Sequence, residues 1–264
     1  MTTDSVELHY ILEGPEEAPL LVMANSLGTT LRMWDEQAPA LHERFRLLRY
    51  DHRGHGGSSV PTGSYSMEDL GGDVLALLDR LGVERFSFCG LSIGGMVGMW
   101  LASEVPQRVG RLVLCCTSAQ FAPDAYDSRA QTVRAEGLGV IVDAVLERWF
   151  TPKFRASHPE VVEWGGSMLR NTPVEGYAGC CEAIRDAELG SRLGAIAAPT
   201  LVIAGAEDAA ASVDQAELIR ASIPDARLLS IERAAHLANV EQPEKVTQAI
   251  LEHLEAAAER RNVE

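Results

Sequence analysis

The chain has 264 residues, with 38 acidic and 23 basic side chains, and its formal net charge is −15 at pH 7. This strong negative charge disfavours nucleic acid and anionic membranes as partners. The length suffices for a sizeable buried core, in one large domain or in a domain with an insertion.

Cysteine spacing and hydropathy indicate a cytoplasmic protein. No apolar run approaches the roughly 18 residues that span a bilayer, and the first five residues lack the charged-then-apolar pattern of a secretion signal. Four of the five cysteines occur as adjacent pairs, at 115–116 and 180–181. This pattern is unlike a secreted disulfide framework, so we expect reduced thiols. Without a Cys-x-x-Cys or His-Glu-x-x-His pattern, we expect no metal.

Apolar runs alternate with helical patterns along most of the chain. Residues 6–11 alternate as an edge strand does, and further strands are predicted at residues 19–24, 45–50, 86–89, 111–116, 199–204 and 226–231. Helices are predicted after a capping box at residues 66–69, and at residues 93–105, 216–223 and 243–259. This alternation predicts an α/β fold with a mostly parallel central sheet and helices on both faces.

The alternation stops between residues 118 and 197. This segment has no comparable apolar strand and carries helical patterns, such as that of residues 139–150, which includes Trp149. We therefore expect residues 1–117 and 198–264 to form the core and residues 118–197 to form an inserted helical cap.

Residues 90–94, Gly-Leu-Ser-Ile-Gly, lie between a predicted strand and a predicted helix. They fit the Gly-x-Ser-x-Gly nucleophile elbow, in which flanking glycines allow a sharp turn that exposes the central serine at a helix N-terminus. Unpaired helix N–H groups at that point favour developing negative charge. Ser92 is thus the candidate nucleophile, and the alternative is a glycine-rich turn with an incidental serine.

A serine nucleophile needs a base and a group that orients the base. In an open parallel sheet these groups gather beyond the carboxyl ends of the strands. Asp208 follows the strand at residues 199–204, and His236 follows the last strand. The chain order Ser92, Asp208, His236 is the order associated with the elbow. Glu207 remains an alternative for the acid.

The glycine-rich loop at residues 51–59 offers a different chemistry. Asp51, His52 and His55 are potential metal ligands, although the glycines deny the two histidines the rigid support that a metal site needs.

Four motifs, at residues 51–56, 90–94, 205–208 and 235–236, resemble those of the α/β-hydrolase family, and the resemblance extends over essentially the whole chain. Within that superfamily the chain resembles the 3-oxoadipate enol-lactonases, through residues 25–28, 88–92, 149–152, 176–181 and 234–243. One departure is the loop at residues 209–213, Ala-Ala-Ala-Ser-Val, where those enzymes usually carry a proline-rich loop. We expect this loop to be less constrained.

The resemblance implies a cofactor-free serine hydrolase that opens a small carboxylated lactone, 3-oxoadipate enol-lactone, in the β-ketoadipate pathway of aromatic catabolism. It also implies an oxyanion hole formed by the backbone N–H groups of Leu27 and Ile93. Because this substrate carries a carboxylate, the pocket needs a local cation or a cluster of hydrogen-bond donors. Arg134 and Arg185 of the predicted cap are the candidates, and Trp149 is a candidate apolar wall.

The motifs leave other activities open, because one fold hosts many chemistries. A general carboxylesterase, a C–C hydrolase and a cofactor-free haloperoxidase-like enzyme use the same three residues. A non-catalytic homologue that binds a small ligand or a protein is a further alternative.

Overall fold

The fold is built around one sheet. The structure is a computed structural model, and it describes residues 6–256. Within these residues the strands are β1 Tyr10–Glu13, β2 Leu20–Ala24, β3 Arg46–Tyr50, β4 Phe86–Leu91, β5 Val109–Cys115, β6 Thr200–Gly205 and β7 Ala226–Ile231. Their order in the sheet is β1-β3-β2-β4-β5-β6-β7. Strand β1 is antiparallel to β3, and the other neighbouring pairs are parallel.

The central strands are covered on both faces. Every residue of β2 and β6 is buried, and successive side chains of a strand point to opposite faces of the sheet. Other elements must therefore pack on each face, as they do in parallel sheets generally. The predicted α/β fold with a mostly parallel sheet is confirmed.

The first strand lies later in the chain than predicted. It was expected at residues 6–11, but pairing with β3 begins where Tyr10 lies opposite Tyr50. The residues before Tyr10 bond instead to the loop that follows β3, where Ser59 N–H donates to the carbonyl oxygen of Glu7 at 2.9 Å. Hydrogen bonds to this loop thus replace the strand pairing that was expected for residues 6–9.

Helices connect the strands. In chain order they are α1 Ala38–Leu41, α2 Met67–Arg80, α3 Ile93–Glu104, α4 Pro123–Glu136, α5 Val142–Trp149, α6 Pro152–Ser157, α7 Pro159–Asn171, α8 Val174–Arg185, α9 Val213–Ser222, α10 Ala238–Glu241 and α11 Pro243–Glu255. Short 3-10 segments are Leu31–Trp34, Leu138–Ile141 and Gly190–Ala195. The predicted final helix ended at residue 259, and its last three positions, 257–259, lie outside the described residues.

Two helices follow the predicted patterns closely. The capping box at the start of α2 is present: Ser66 Oγ accepts from the Asp69 N–H at 3.0 Å, and Asp69 Oδ2 accepts from the Ser66 N–H at 2.9 Å. Helix α3 is buried over most of its length and packs on β2, β4 and β5. Burial on several sides holds the N-terminus of α3 against the carboxyl edge of the sheet.

The chain between β5 and β6 is helical, as predicted. None of residues 118–197, all of which the structure describes, lies in a strand. Helix α4 packs along α8, and α5 packs on α7. The predicted helix at 139–150 is split, because Leu138–Ile141 is a 3-10 segment and α5 begins at Val142.

The five cysteines are all buried free thiols, as predicted. No helix within residues 6–256 combines the length and the apolar character needed to cross a membrane.

One buried histidine gives the fold a pH-dependent stability. His253 on α11 is buried, and its Nε2–H donates to the carbonyl oxygen of Pro199 at 3.1 Å. Burial, together with the positive charges of Arg111 and Arg227, lowers the pKa of His253 from 6.5 to about 4. Between these two values the unfolded chain binds a proton that the folded chain does not bind. The contribution of His253 to the free energy of unfolding is therefore largest above pH 6.5 and falls as the pH falls toward 4.

We expect the free energy of unfolding to decrease between pH 7.5 and pH 5, with about 2 kcal/mol of the decrease due to His253. His253→Gln keeps an N–H donor but does not titrate, so this variant should lose about 2 kcal/mol less over the same interval. Denaturant unfolding of both proteins at the two pH values measures the difference. Equal losses in the two proteins would show that His253 does not titrate as described.

Candidate active site

Ser92 lies in a sharp turn between β4 and α3. Its φ is 57° and its ψ is −118°, a conformation that residues with a Cβ rarely adopt. A Cβ on Gly90 would lie 2.1 Å from the carbonyl oxygen of Gly94, and one on Gly94 would lie 2.5 Å from that of Ala24. The turn therefore requires glycine at both flanking positions, and the geometry is that of the predicted elbow rather than of an ordinary glycine-rich turn.

The elbow is tied to the end of β5. The Ser92 N–H donates to the carbonyl oxygen of Cys115 at 3.0 Å, and Thr117 Oγ1–H donates to the carbonyl oxygen of Ser92 at 2.7 Å. Both backbone groups of the strained residue are thereby satisfied. These hydrogen bonds hold the backbone of the turn from which the Ser92 side chain extends.

Asp208 and His236 meet at the ends of β6 and β7. His236 Nδ1 lies 2.8 Å from Asp208 Oδ2, and both residues are buried. Because the carboxylate accepts, Nδ1 carries the hydrogen and Nε2 is left to accept a proton from another group. The alternative acid Glu207 is exposed, so Asp208 is the acidic partner of this imidazole.

The loop after Asp208 is well fixed, although it lacks the prolines seen in the resembled enzymes. Asp208 Oδ1 accepts from the N–H groups of Ala210 and Ala211 at 2.8 and 3.0 Å. Ser212 then begins α9 with a capping box to Gln215, which starts the helix earlier than the predicted residue 216. Hydrogen bonds thus hold this loop where the resembled enzymes carry proline rings, and its lower constraint stays a prediction.

A cavity of about 530 Å³ lies between this edge of the sheet and the helices of residues 118–197. Ser92 and His236 line it from the core, and Tyr126, Trp149 and Tyr177 line it from α4, α5 and α8. Trp149 is buried and lies in the wall of this cavity. Ser92 and His236 thus line one cavity, and Asp208 is joined to it by its hydrogen bond to the His236 imidazole.

The loop after β2 and the start of α3 bring two predicted N–H donors to the same region. The Gly94 N–H donates to the carbonyl oxygen of Asn25 at 3.1 Å, which holds this loop against the helix N-terminus. The Leu27 N–H makes no hydrogen bond to any residue of the described chain. Ile93 is the first residue of α3, so its N–H has no partner within the helix. Both N–H groups are free to bind an anion.

Side chains of the loop after β3 brace the Leu27 loop from behind. His55 Nε2 accepts from the Gly28 N–H at 3.0 Å, and His52 Nε2 lies 3.1 Å from the carbonyl oxygen of Asn25. Burial lowers the pKa of both rings, that of His52 to about 3, which keeps them neutral. This bracing role accounts for both histidines better than the alternative of a metal site.

Two arginines give the cavity a positive region. Arg129 on α4 and Arg148 on α5 both line it. Arg129 lies over the ring of Tyr126, with 4.8 Å from the guanidinium carbon to the ring centroid. Burial and the charge of Arg129 lower the pKa of Arg148. Within residues 6–256 neither guanidinium has a carboxylate at ion-pair distance, so the pair is available for an anionic ligand.

Comparison with known proteins identifies the family. Residues 19–146 match a family model described as alpha/beta hydrolase fold. Over 251 residues the chain is 40% identical to 3-oxoadipate enol-lactonase 2 of Acinetobacter baylyi, which covers 95% of this chain and 94% of that protein. This chain belongs to the α/β-hydrolase family.

Solved structures agree with this assignment. The enol-lactonase from Burkholderia xenovorans LB400 superposes with a TM-score of 0.93 at 41% identity, covering 95% of this chain and 97% of that one. A hydrolase from Pseudomonas aeruginosa superposes with a TM-score of 0.92 at 48% identity, with 96% of each chain covered. The predicted resemblance is confirmed, and the chain is a hydrolase.

The two arginines predicted to bind a carboxylate do not line the cavity of this hydrolase. Arg134 pairs with Glu182 at 2.5 Å and with Glu175, and Arg185 pairs with Asp127 at 2.8 Å. Their charges are already compensated within the helices of residues 118–197. The cations that do reach the cavity are Arg129 and Arg148, so the prediction of Arg134 and Arg185 was wrong.

Helix geometry explains why sequence reasoning chose the wrong arginine. Arg129 and Arg134 are five residues apart on α4, which separates their directions by about 140° around the helix axis. Only one of the two can face the cavity. The helical pattern of the sequence could have indicated Arg148. It adjoins Trp149 and lies three residues after Val145, on the same face of α5.

A contact between two glycines joins the bracing loop to the helices over the cavity. A Cβ on Gly176, in the first turn of α8, would lie 2.0 Å from the carbonyl oxygen of Gly54. Gly54 precedes His55, and Gly176 precedes the cavity residue Tyr177. The approach of α8 to the site of this hydrolase therefore requires glycine at position 176.

Gly176→Ala should force α8 away from the loop and displace Tyr177. We expect a loss of about 1–3 kcal/mol in the free energy of unfolding, with weaker binding of ligands in the cavity. Gly190→Ala is the matched control, since a Cβ there meets no atom within 4 Å. Denaturant unfolding of the two variants compares them, and equal stabilities would contradict the close approach.

Proposed function

We propose that this hydrolase opens 3-oxoadipate enol-lactone to 3-oxoadipate, through an acyl-enzyme formed on Ser92. The single observation that carries the proposal is the pair of uncompensated arginines, Arg129 and Arg148, in the same cavity as Ser92 and His236. A protein with net charge −15 repels anions in general, so a cavity with two unpaired cations favours a substrate that carries a carboxylate. The names of the relatives support a lactone as the reacting group.

In the first half of the proposed reaction, Ser92 Oγ attacks the lactone carbonyl while Nε2 of His236 takes the hydroxyl proton. Asp208 holds the imidazole by its Nδ1–H and stabilises the cation that forms. The charge on the carbonyl oxygen is received by the N–H groups of Leu27 and Ile93. The ring C–O bond then breaks, and the enol oxygen takes the proton from His236.

In the second half, water attacks the acyl carbonyl of the Ser92 ester. His236 accepts a proton from this water and returns it to Ser92 Oγ as the ester bond breaks. The opened enol converts to the ketone of 3-oxoadipate. Every proposed step uses water and groups of the chain, with no cofactor.

The carboxylate on the lactone side chain is proposed to lie between Arg129 and Arg148. Tyr126 keeps Arg129 in position through the ring contact described above. Trp149 then covers the apolar face of the lactone ring. This arrangement orients the carbonyl toward Ser92 without using the catalytic groups for binding.

We further propose a division of labour along the chain. Residues 1–117 and 198–264 act as the catalytic core, and residues 118–197 act as a cap that selects the substrate. The reaction is assigned to the β-ketoadipate pathway of aromatic catabolism and to the cytoplasm, where the five free thiols remain reduced.

The alternatives share the serine, and the arginines of the cavity bear on the choice between them. Arg129 and Arg148 favour a substrate that carries a carboxylate over the neutral substrates that a general carboxylesterase, a C–C hydrolase or a haloperoxidase-like enzyme could accept. A non-catalytic binding protein has no use for the strained backbone of Ser92.

We expect the pure protein to hydrolyse 3-oxoadipate enol-lactone with a kcat/KM about 10- to 150-fold above that for neutral aryl esters, because a charge-assisted contact contributes roughly 1.5–3 kcal/mol. Ser92→Ala should lower kcat by about 10⁴-fold or more and abolish labelling by a fluorophosphonate. Preference for the neutral esters would favour a general esterase, and no turnover or labelling by the parent would favour a binding protein.

The arginine assignment has a matched pair of variants. Arg148→Gln should raise KM for the carboxylated lactone by about 10- to 100-fold and leave kinetics with a neutral ester nearly unchanged, because one ionic hydrogen-bond partner is lost. Arg134→Gln, on the same group of helices but paired with Glu182, should leave KM within about twofold on the same reasoning. The reverse pattern in steady-state kinetics would return the carboxylate site to Arg134.

A further inference from the structure

Glu241 is a buried carboxylate that the proposed reaction does not use. It is the last residue of α10, five positions after His236, and only 7% of its surface is exposed. Burial raises the pKa of its carboxyl group, because the charged carboxylate loses contact with water there. A buried group of this kind requires compensating hydrogen bonds.

Three donors surround the Glu241 carboxylate, and they come from two distant parts of the chain. Oε1 accepts from Thr151 N–H at 2.7 Å and from Thr151 Oγ1–H at 2.9 Å. Oε2 accepts from Ala235 N–H at 2.5 Å. Both carboxylate oxygens of Glu241 face hydrogen-bond donors only. The side chain at position 241 therefore needs an acceptor atom in each of these two places.

The donors lie beside residues of the active site. Ala235 directly precedes His236, and Thr151 lies two positions after the cavity wall Trp149. A backbone hydrogen bond joins the same two segments of chain, since the Leu237 N–H donates to the carbonyl oxygen of Trp149 at 3.0 Å. Glu241 therefore joins the loop that bears the imidazole to the end of α5, which bears Trp149 and Arg148.

We propose that Glu241 is a positioning residue, whose carboxylate holds the His236 loop in register with α5 and its cavity residues Arg148 and Trp149. Asp208 orients the imidazole through its ring nitrogen, and Glu241 locates the backbone from which the imidazole extends. A substrate held by Arg148 is thereby presented at a constant distance from His236. This inference rests on the proposed function, since it concerns the reaction of a substrate bound in that cavity.

The test compares Glu241→Gln, Glu241→Asp and the control Glu244→Gln in the full-length protein. Glutamine places an NH₂ group against one of the donors, which must then move. Aspartate keeps two acceptor oxygens but is one methylene shorter. Glu244 lies in the first turn of α11 and makes no hydrogen bond to the described residues, so its substitution tests the loss of a nearby charge alone.

We expect Glu241→Gln to lower kcat for the carboxylated lactone by about 10- to 100-fold, because misplacement of a catalytic group by about 1 Å costs rate rather than binding. KM should stay within about threefold, because the arginines are untouched. Glu241→Asp should recover part of the lost kcat, and Glu244→Gln should match the parent.

The number of active sites, from end-point labelling with a fluorophosphonate, separates positioning from simple misfolding. A positioning role lowers kcat per labelled site, whereas a folding defect lowers the number of sites and leaves kcat per site unchanged. The second result, or a Glu241→Gln enzyme as fast as the parent, would overturn the inference. A parent that does not turn over the lactone but hydrolyses esters would refute the proposed substrate, and kcat per site with the ester would then test Glu241 alone.

Discussion

The strained backbone of Ser92 is the constraint on which the rest of this structure depends. A positive φ at a residue with a side chain costs about 1–3 kcal/mol and persists only where the surroundings enforce it. Here glycines at 90 and 94 remove the clashes that a Cβ would cause, and hydrogen bonds to Cys115 and Thr117 satisfy the turn. This turn places the Ser92 hydroxyl at the N-terminus of α3. The buried packing of α3 on the sheet is what enforces this arrangement.

Charge is distributed so that the cavity differs from the rest of the molecule. The protein carries a large excess of carboxylates, and most arginines within residues 6–256 form ion pairs with them. Arg134 and Arg185 follow that pattern, and Arg129 and Arg148 do not. Burial, and then the charge of Arg129, lower the pKa of Arg148. An anion that enters the cavity would offset both effects, which is the electrostatic basis of the proposed carboxylate site.

Carboxylates that accept hydrogen bonds from backbone N–H groups fix the loops that carry the chemistry. Asp208 binds the N–H groups of its own loop as well as His236, and Glu241 binds the N–H group beside His236. These loops have no regular secondary structure to hold them. Some of these acceptors join the sheet edge to the helices of residues 118–197. They give the loops the rigidity that catalytic groups from distant parts of the chain require.

The amino-acid sequence by itself determined the sheet, the order of its parallel strands along the chain and the helical segment, because apolar runs and helical periodicity are local properties. Ser92 was predictable from its flanking glycines, and Asp208 and His236 from their places after strands, since parallel strands bring their carboxyl ends to one edge. Only the tertiary structure decided the start of β1 and the arginines of the cavity. The choice between Arg129 and Arg134 depends on the rotation of α4 against α8, and the role of Glu241 depends on a contact with Thr151, 90 positions away. Neither leaves a local pattern, because both arise from packing between elements distant in the chain.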